Sequence, residues 1–532
     1  MNRKSMVEGL EAIAGWDLCI IGGGATGLGV AVDAASRGYR TLLLERDDFA
    51  KGTSSRSTKL VHGGVRYLQQ GNVKLVMEAL RERGILRKNA PHLVKNQSFI
   101  VPNYKWWEGP YYGIGLKVYD WMAGSLGLGP SRLLSREETL ELAPTLDAEG
   151  LRGGVVYHDG QFDDARLAIG LAQTAADQGA VLLNYCRVDG LIKNNEKITG
   201  VRAVDSLSGK SYAIEARAVI NATGVFTDSI LQMDMPGSET VIAPSQGVHI
   251  VLDKSFLPGE AAIMVPHTDD GRVLFAVPWH NRIIIGTTDT PVVKAVAEPR
   301  ALPEEIDFIL EQIGRYLSKP PQRSDIRSVY AGLRPLVKGN SKKTAELPRD
   351  HLITVSDSGL ITIAGGKWTT YRRMAEDTVN TAIAKAGLAD KPCVTANLPI
   401  HGSLTGTVLQ PGEPLEGDRE LAMYGSDAVA IRALINADAA LGPEHGQGLG
   451  EKLHPSLPYI KAEIVWAARE ELCMTVEDAL SRRTRALLLD AQAAIDCASV
   501  VATLLARELG RDAAWQQAQV EEFRVLASGY LA

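Results

Sequence analysis

The segment from residue 16 to residue 48 constrains the fold more than any other part of the chain. It reads WDLCIIGGGATGLGVAVDAASRGYRTLLLERDD, which gives an apolar strand, a G-x-G-x-x-G turn, a small-residue helix, a second strand and an acid. The glycines let a pyrophosphate approach the backbone at the helix N-terminus, and Glu45 stands where a carboxylate accepts a ribose hydroxyl. This order predicts a Rossmann-like dinucleotide-binding turn made by Gly22, Gly24, Ala25, Thr26 and Gly27.

The loop that follows the second strand favours FAD over NAD. An NAD-binding domain usually continues at once into further strands and helices, whereas this chain enters DDFAKGTSSRSTKLVHGGVRYL, residues 47–68. Hydroxyl and backbone N–H groups of such a loop can donate hydrogen bonds to phosphates or to a flavin edge. The candidates are Ser54, Ser55, Ser57 and Thr58.

Composition and charge exclude several other classes of protein. The 532 residues carry a formal net charge of −6, which does not suggest a general nucleic-acid binder. Five cysteines are scattered without a C-x-x-C pair, so neither a disulfide framework nor a zinc site is expected, and no grouping has metal-ligand spacing. The N-terminus lacks a signal-peptide core, and no apolar run approaches the roughly 18 residues of a spanning helix. We therefore expect a cytoplasmic protein that does not cross a membrane but can lie on one.

Ten segments resemble the FAD-dependent glycerol-3-phosphate dehydrogenase family, in order over about residues 16 to 400. They are IGGGATGLGVAVDAASRG, GTSSRSTKLVHGGVRYLQQG, MEALRERGILRKNAPHLV, GVVYHDGQFDDARLAI, INATGVFTD, GVHIVLD, VPWHNRIIIGTTDT, YAGLRPLV, LPRDHLI and AGGKWTTYRRMAED. The resemblance implies oxidation of sn-glycerol 3-phosphate to dihydroxyacetone phosphate, with a hydride passing from C2 to N5 of FAD. It also implies that electrons pass to membrane quinone and that the protein lies on a membrane surface, here the inner face of the cell membrane. We expect non-covalent FAD, although His62 could in principle be alkylated by flavin, and a homodimer.

Two further motifs suit close approach of the backbone to a flavin. ARAVINATGVFTD has a small-residue turn at 222–224, for which a plain strand-to-helix turn is the alternative. SGLITIAGGKWTTYRRMAED places two glycines and Lys367 before a helix, where the positive dipole end and the ammonium would stabilise reduced flavin. A solvent lysine is the alternative for Lys367. With the family pattern, in which Val188 lies over adenine, the additional flavin-site residues are Arg46, Lys59, Leu60, His62, Gly63, Gly64, Val188, Ala222, Thr223, Gly224, Gly366, Lys367, Trp368 and Thr369.

The implied substrate is a dianion with a secondary alcohol. Its site therefore needs cations for the phosphate, a base for the hydroxyl proton and a flavin face from which water is excluded. Arginine suits phosphate because its planar fork binds bidentately. His249 matches the family's substrate histidine and is the candidate base, although a strand histidine can also be a core residue. Matching the family pattern, the other substrate-site residues are Arg66, Tyr67, Arg334, Arg349 and Lys367. With His249, Arg334 and Lys367 are also the catalytic candidates.

The predicted fold class is α/β with three units. A Rossmann-like FAD-binding domain is interleaved with an antiparallel-sheet α+β substrate domain, and a small all-helical C-terminal domain follows a Pro/Gly linker. Residues 105–129, KWWEGPYYGIGLKVYDWMAGSLGLG, concentrate aromatic side chains and form either an interfacial membrane surface or a core helix. The predicted bounds are 16–70, 150–240 and 350–398 for the FAD domain, 71–149 and 241–349 for the substrate domain, and 399–532 for the helical domain.

Two other functions remain open from the sequence. The protein could be an oxidase that passes electrons from the same or a related substrate to O₂, and peroxide release during turnover would identify it. It could instead hold flavin as a binding or assembly protein without turnover. Bleaching of the flavin by substrate under anaerobic conditions would exclude that class.

Overall fold

The computed structural model describes residues 1–64, 72–339, 351–403, 421–442 and 446–532. Its strands are β1 Trp16–Ile21, β2 Thr41–Leu44, β3 Leu60–Val61, β4 Val94–Asn103, β5 Arg132–Leu134, β6 Gly153–Phe162, β7 Val181–Leu183, β8 Cys186–Asn194, β9 Lys197–Asp205, β10 Ser211–Asn221, β11 Ile242–Asp253, β12 Ala262–Val265, β13 Leu274–Trp279, β14 Arg282–Gly286, β15 Thr290–Pro291, β16 Ile326–Val337, β17 His351–Val355 and β18 Ile361–Gly365.

The α-helices of the described residues follow in the same chain order. They are α1 Arg3–Ala12, α2 Ala25–Ser36, α3 Val73–Asn89, α4 Glu108–Ala123, α5 Arg136–Leu142, α6 Asp164–Asp177, α7 Thr227–Asp234, α8 Pro303–Gly314, α9 Tyr371–Ala386, α10 Ala428–Ala440, α11 Lys461–Glu470, α12 Val476–Asp478, α13 Ala486–Leu489, α14 Ala491–Leu509 and α15 Ala513–Ser528. A π-helical turn, Ala479–Arg483, follows α12 directly.

The first sheet contains the glycine-rich motif, and the Rossmann-like prediction is confirmed. Its strand order is β17-β18-β10-β1-β2-β7, with the β8–β9 hairpin attached to β10. β1 lies between β10 and β2 and pairs in parallel with both. Leu18 and Ile20 of β1 pack into a core with α2, α6 and α9, whereas Cys19 and Ile21 pack on the opposite face with α1 and the β8–β9 hairpin. Burial on both faces explains why the strand is apolar throughout.

The second sheet carries the predicted substrate domain and is largely antiparallel. Its strand order is β15-β11-β14-β13-β12-β4-β6-β3, with β16 beside β11 and β5 beside β6. Ile306 and Ile309 of α8 pack on one face, and Tyr112 and Leu116 of α4 pack on the other. β6 pairs with β4 within this sheet, although the predicted FAD-binding segment begins at residue 150.

Helices α10 to α15 form the C-terminal helical unit that the apolar periodicity predicts. Its core is continuous with the second sheet, because Trp279, Ile284 and Tyr330 belong to the same cluster. Arg166 of α6 makes a buried bidentate ion pair with Glu471, at 2.7 and 2.8 Å. The unit is therefore fixed to both sheets by packing and by buried charge.

Candidate functional site

A groove of about 460 Å³ lies at the carboxyl ends of β1, β2, β10 and β18. Open α/β sheets bind their ligands at this edge, because the strand-to-helix turns present backbone N–H groups there. Most of the residues predicted for the cofactor line the groove: Gly22, Gly24, Ala25, Thr26, Glu45, Arg46, Ser54, Val188, Ala222, Thr223, Gly224, Gly366, Lys367 and Trp368.

The glycine turn fits the pyrophosphate of a dinucleotide. Gly22 has φ +111°, and a Cβ there would lie 2.7 Å from the Ala222 carbonyl oxygen. Gly24 is the N-cap of α2 and brings no capping side chain, so the helix N-terminus stays open to a ligand. Gly27 lies behind the turn in α2, where a Cβ would collide with the Gly22 carbonyl.

Glu45 is fixed by the backbone around it. Its carboxylate accepts hydrogen bonds from the N–H groups of Gly23, at 2.6 Å, and Asp47, at 2.8 Å. Burial raises the pKa of Glu45, and the two backbone bonds oppose that shift. Nearby, the Arg46 guanidinium lies 4.0 Å from the centre of the Phe226 ring, and both side chains line the groove. Val188 lines the same groove, and its predicted contact with adenine stays a prediction.

The opposite end of the groove has the geometry expected for a flavin. Gly365 and Gly366 have φ of +75° and +82°, so the backbone turns sharply after β18. Trp368 donates from Nε1 to the Ser54 carbonyl oxygen at 2.9 Å. Thr369 lies beneath the surface and accepts from the His62 N–H at 3.3 Å. These two bonds join the turn after β18 to the Ser/Thr-rich loop.

A second cavity, of about 640 Å³, adjoins this end of the groove. Arg334 lines the cavity, while its neighbour Pro335 lines the groove. The Arg334 guanidinium donates to Asp289 at 3.1 Å and to Thr287 Oγ1 at 3.0 Å, which fixes its orientation. The predicted flavin-loop residues that line the second cavity are Thr58, Leu60, His62 and Gly64.

His249 does not line that cavity but lies behind Thr58, which does. Its Nε2 is 2.9 Å from Thr58 Oγ1, and its ring stacks on Tyr330 with centroids 4.8 Å apart. Burial, together with the charges of Lys59 and Arg334, holds the pKa of His249 well below its ordinary value. The imidazole is therefore neutral at pH 7.

Lys59 differs from its predicted place beside the flavin, because its side chain is turned away from both cavities. Lys59 has φ +62°, and its ammonium donates to Asp164 and to the Ser55 carbonyl oxygen, each at 2.7 Å. Arg485 of the C-terminal unit donates to the same Ser55 carbonyl at 2.7 Å and lies 3.2 Å from Asp164. The contacts of Ser55 and Lys59 thus fix the loop on the side that faces away from both cavities.

Gly63 faces the interior as well. Its N–H donates to Tyr119 Oη at 2.8 Å, and that hydroxyl donates to Asp159 at 2.7 Å. The predicted substrate residues Arg66, Tyr67 and Arg349 lie outside the described residues.

Sequence reasoning missed four residues that position the site. Thr287 and Asp289 hold Arg334, and their segment GTTDT was identified only as part of the family pattern. Tyr330 stacks on His249, and Asp164 binds the Lys59 ammonium. The pairs Tyr330–His249 and Asp164–Lys59 join positions 81 and 105 residues apart, so no local pattern signals them.

Comparison with known proteins agrees with this site. A family model described as "FAD dependent oxidoreductase" matches residues 17–372, and one described as "C-terminal domain of alpha-glycerophosphate oxidase" matches residues 393–518. The mitochondrial glycerol-3-phosphate dehydrogenase of Mesocricetus auratus is 42% identical over 544 residues, covering 98% of this chain and 74% of that protein. The enzyme of that name from Schizosaccharomyces pombe is 40% identical and covers 99% and 89%.

A solved structure resembles the whole chain. The glycerol-3-phosphate dehydrogenase from Bacillus halodurans, in complex with FAD, is 30% identical with a TM-score of 0.76 and covers 99% of this chain and 98% of its own. The predicted FAD cofactor and the family resemblance are both confirmed. This degree of identity, sustained over nearly the full length and matched by the glycine-lined groove, shows that the chain belongs to the family of FAD-dependent glycerol-3-phosphate dehydrogenases.

Proposed function

We propose that this protein uses FAD to oxidise sn-glycerol 3-phosphate to dihydroxyacetone phosphate. The observation that carries the proposal is the place of Arg334, which lines the second cavity directly beside the flavin end of the groove. The side chains of Asp289 and Thr287 and two backbone carbonyl oxygens accept from both terminal nitrogens of Arg334, so the guanidinium is held in one orientation and would attract the phosphate by its charge. When bound, FAD supplies the acceptor for the hydride from substrate C2.

His249 is the candidate base in this proposal. Thr58 lines the cavity and touches His249 Nε2, so the proton of the substrate hydroxyl can reach the imidazole through the threonine hydroxyl. Burial and the positive charges of Lys59 and Arg334 lower the pKa of His249 and so weaken it as a base. A phosphate dianion beside Arg334 opposes those charges, so the imidazole becomes more basic when substrate is bound.

In this proposal Lys367 contacts both the flavin and the substrate. It lines the groove at the turn after β18, immediately before the short helical turn Trp368–Thr370. A cation at this place stabilises the negative charge that reduction adds to the flavin. Lys367→Met should therefore slow flavin reduction while FAD stays bound, which stopped-flow absorbance under anaerobic conditions would measure.

Anaerobic titration tests the proposed reaction itself. The purified protein should be yellow, and sn-glycerol 3-phosphate should bleach the flavin absorbance in the absence of O₂. Unphosphorylated glycerol is the matched control and should bleach it poorly, because it offers no anion to Arg334. Failure of the phosphate to bleach the flavin would leave only a flavin-holding role. Flavin retained in the pellet after acid precipitation would contradict the non-covalent cofactor.

An oxidase is the second candidate, favoured by the description of the model that matches residues 393–518. Such an enzyme would release one hydrogen peroxide for each substrate oxidised in air. The dehydrogenase should instead turn over rapidly with an added acceptor and release little peroxide, so a peroxidase-coupled assay distinguishes the two.

We also propose that the acceptor is membrane quinone and that the protein lies on the inner face of the cell membrane. Among the described residues, no helix is both long and apolar enough to cross a bilayer. α4 instead buries Tyr112 and Leu116 against the second sheet and Tyr119 against α3, and it exposes a different stripe of side chains. We call this outward stripe the aromatic face; its members and their exposed fractions are Trp107 37%, Tyr111 51%, Ile114 69%, Val118 43% and Trp121 83%, with Trp106 just ahead at 77%.

The aromatic face supports attachment to a bilayer interface. Replacing Trp106, Trp107 and Tyr111 together by Ser should release the protein from phospholipid vesicles and lower its activity with a long-chain quinone. Activity with a water-soluble dye should survive, since the groove and Arg334 are untouched. Loss of dye activity too would favour a packing role for these side chains, and unchanged vesicle binding would contradict the membrane proposal. The predicted homodimer can be tested separately by sedimentation in detergent.

A further inference from the structure

The segment that follows β15, residues 292–300, forms part of the wall of the groove that holds FAD, and we call it the wall segment. Ala297 lines the groove, and its carbonyl oxygen accepts from Arg56 of the flavin loop at 3.4 Å. Other side chains of the wall segment face solvent, since Val293 is 104% exposed and Val296 is 48% exposed. A single stretch of chain therefore separates this side of the groove from solvent.

The wall segment is bonded to β11 at its two ends. The Val292 N–H donates to the Pro244 carbonyl oxygen at 3.1 Å, and the Arg300 carbonyl oxygen accepts from Gln246 Nε2 at 2.9 Å. Within the part of the chain that the structure describes, residues 293–296 make no hydrogen bond. A segment with so few buried contacts opens at a lower cost in free energy than the protein needs to unfold. Most other walls of the groove are strand ends of the first sheet and their turns, so the wall segment is the part that opens most readily.

Glu298 fastens the wall segment beside the groove. Its carboxylate accepts from Arg56 at 2.5 Å and from the Tyr530 hydroxyl at 2.7 Å. The Arg56 side chain is 5% exposed and that of Glu298 is 22% exposed, so water screens the pair only weakly. Tyr530 is fixed in turn, because its carbonyl oxygen accepts from the Val329 N–H of β16 at 2.8 Å. Burial raises the pKa of Tyr530, so its phenol keeps the proton that it donates to Glu298.

We propose that the wall segment is the gate through which FAD enters and leaves, and that Glu298 and Tyr530 hold this gate closed. The gate opens when the Glu298 carboxylate separates from Arg56 and Tyr530. The segment then turns about its two ends, where the bonds to Pro244 and Gln246 of β11 remain. Glu298 and Tyr530 are thus positioning residues for the cofactor, which they affect only through the wall segment.

The place of the two fastening residues distinguishes a gate from an ordinary contact with FAD. Neither Glu298 nor Tyr530 is among the residues that line the groove. A fastening that does not touch the ligand holds the segment closed over an empty and a filled groove alike. It therefore slows entry and exit by the same factor, and its loss changes the rate of FAD exchange but not the affinity.

Exchange of FAD in the FAD-bound protein tests the gate. Tyr530→Phe removes only the hydroxyl, and Glu298→Gln keeps the shape but removes the charge opposite Arg56. In either variant, bound FAD should exchange with radiolabelled FAD at least about tenfold faster. The Kd for FAD, measured by flavin fluorescence on dilution, should stay within about threefold of the wild-type value. Tyr424→Phe is the matched control, because this buried tyrosine of the C-terminal unit also donates to a carboxylate, Glu463, at 3.0 Å and lines neither the groove nor the second cavity.

Lys294, which is exposed within the wall segment, provides a second measurement. Trypsin should cleave after Lys294 faster in FAD-bound Tyr530→Phe than in the wild type or in Tyr424→Phe. Should Glu298→Gln fail to fold, Tyr530→Phe decides. Wild-type rates of exchange and cleavage in Tyr530→Phe would overturn the inference. A rise in Kd as large as the rise in exchange rate would also overturn it, since that indicates a lost contact with FAD, and so would equal acceleration in Tyr424→Phe, which indicates general destabilisation.

Discussion

Replacing the buried carboxylate Asp164 tests how the flavin loop is held. Asp164 Oδ2 accepts from Lys59 Nζ at 2.7 Å and from Ser57 at both N, 3.0 Å, and Oγ, 2.7 Å. Its Oδ1 lies 3.2 Å from Arg485, and the Asp164, Lys59 and Arg485 side chains are all 0% exposed. Asp164→Asn keeps the shape but leaves two buried cations facing an amide. Removing one partner of a buried ion pair typically costs about 3–5 kcal/mol.

A loss of this size should be visible in thermal unfolding. For a chain of this length it corresponds to a decrease in the unfolding midpoint of about 3–5 °C, measured by circular dichroism on the FAD-bound protein. The control is Asp307→Asn, which breaks the exposed Arg323–Asp307 pair at 2.8 Å and should leave the midpoint nearly unchanged. Dye activity should fall as well, because Ser57 directly precedes the threonine that contacts His249. Equal midpoints for the two variants would refute the argument.

Three further outcomes are expected at the site. Gly24→Val should lose FAD, seen as loss of flavin absorbance, because even a Cβ there would lie 3.1 Å from Ser54 Oγ and a larger side chain would fill the pyrophosphate space. Arg334→Ala should raise KM steeply at normal FAD content, costing on the order of 2–4 kcal/mol in kcat/KM, and Arg334→Lys should recover only part. Because the pKa of His249 is held well below its ordinary value, the decline in kcat/KM that its protonation causes should come at a pH below that of a free imidazole. Lys59→Met removes one of the charges responsible and should move that decline to higher pH, as pH–rate profiles would record.

The flavin-binding sheet could be predicted from the sequence because its signals are local. The strand, the glycine turn, α2, β2 and Glu45 all lie within 33 consecutive residues, and each step follows from the conformational needs of the residue types. The turn after β18 was predictable for the same reason. A glycine pair before a helix indicates a sharp turn of the backbone.

Side-chain direction and strand partners could not be predicted in the same way. Lys59 stands in the flavin loop, but its positive φ directs the side chain inward to Asp164. β6 belongs to the second sheet because it pairs with β4, a choice made by packing across about 60 residues. Residues 105–129 carried two interpretations, and the described part of α4 accommodates both, since one stripe is buried while the aromatic face is exposed.

The role of the C-terminal helical unit was the largest gap in the sequence argument, and its arginines suggest a reason for it. Arg482 and Arg483, in the π-helical turn, bind Asp48 at the start of the flavin loop, and Arg485 binds the Ser55 carbonyl within that loop. Although burial alone would raise it, these two arginines hold the pKa of Asp48 well below its ordinary value.

A loop built from Gly, Ser and Thr buries little apolar surface, so packing alone cannot hold it in one conformation. Buried ion pairs add little net stability compared with apolar contacts, but they are strongly directional, and breaking one is costly. The arginines of the C-terminal unit therefore provide what the loop's own composition lacks, a fixed backbone behind the hydroxyls and N–H groups that face the flavin. On this argument the helical unit belongs to the framework of the active site, although none of these arginines lines either cavity.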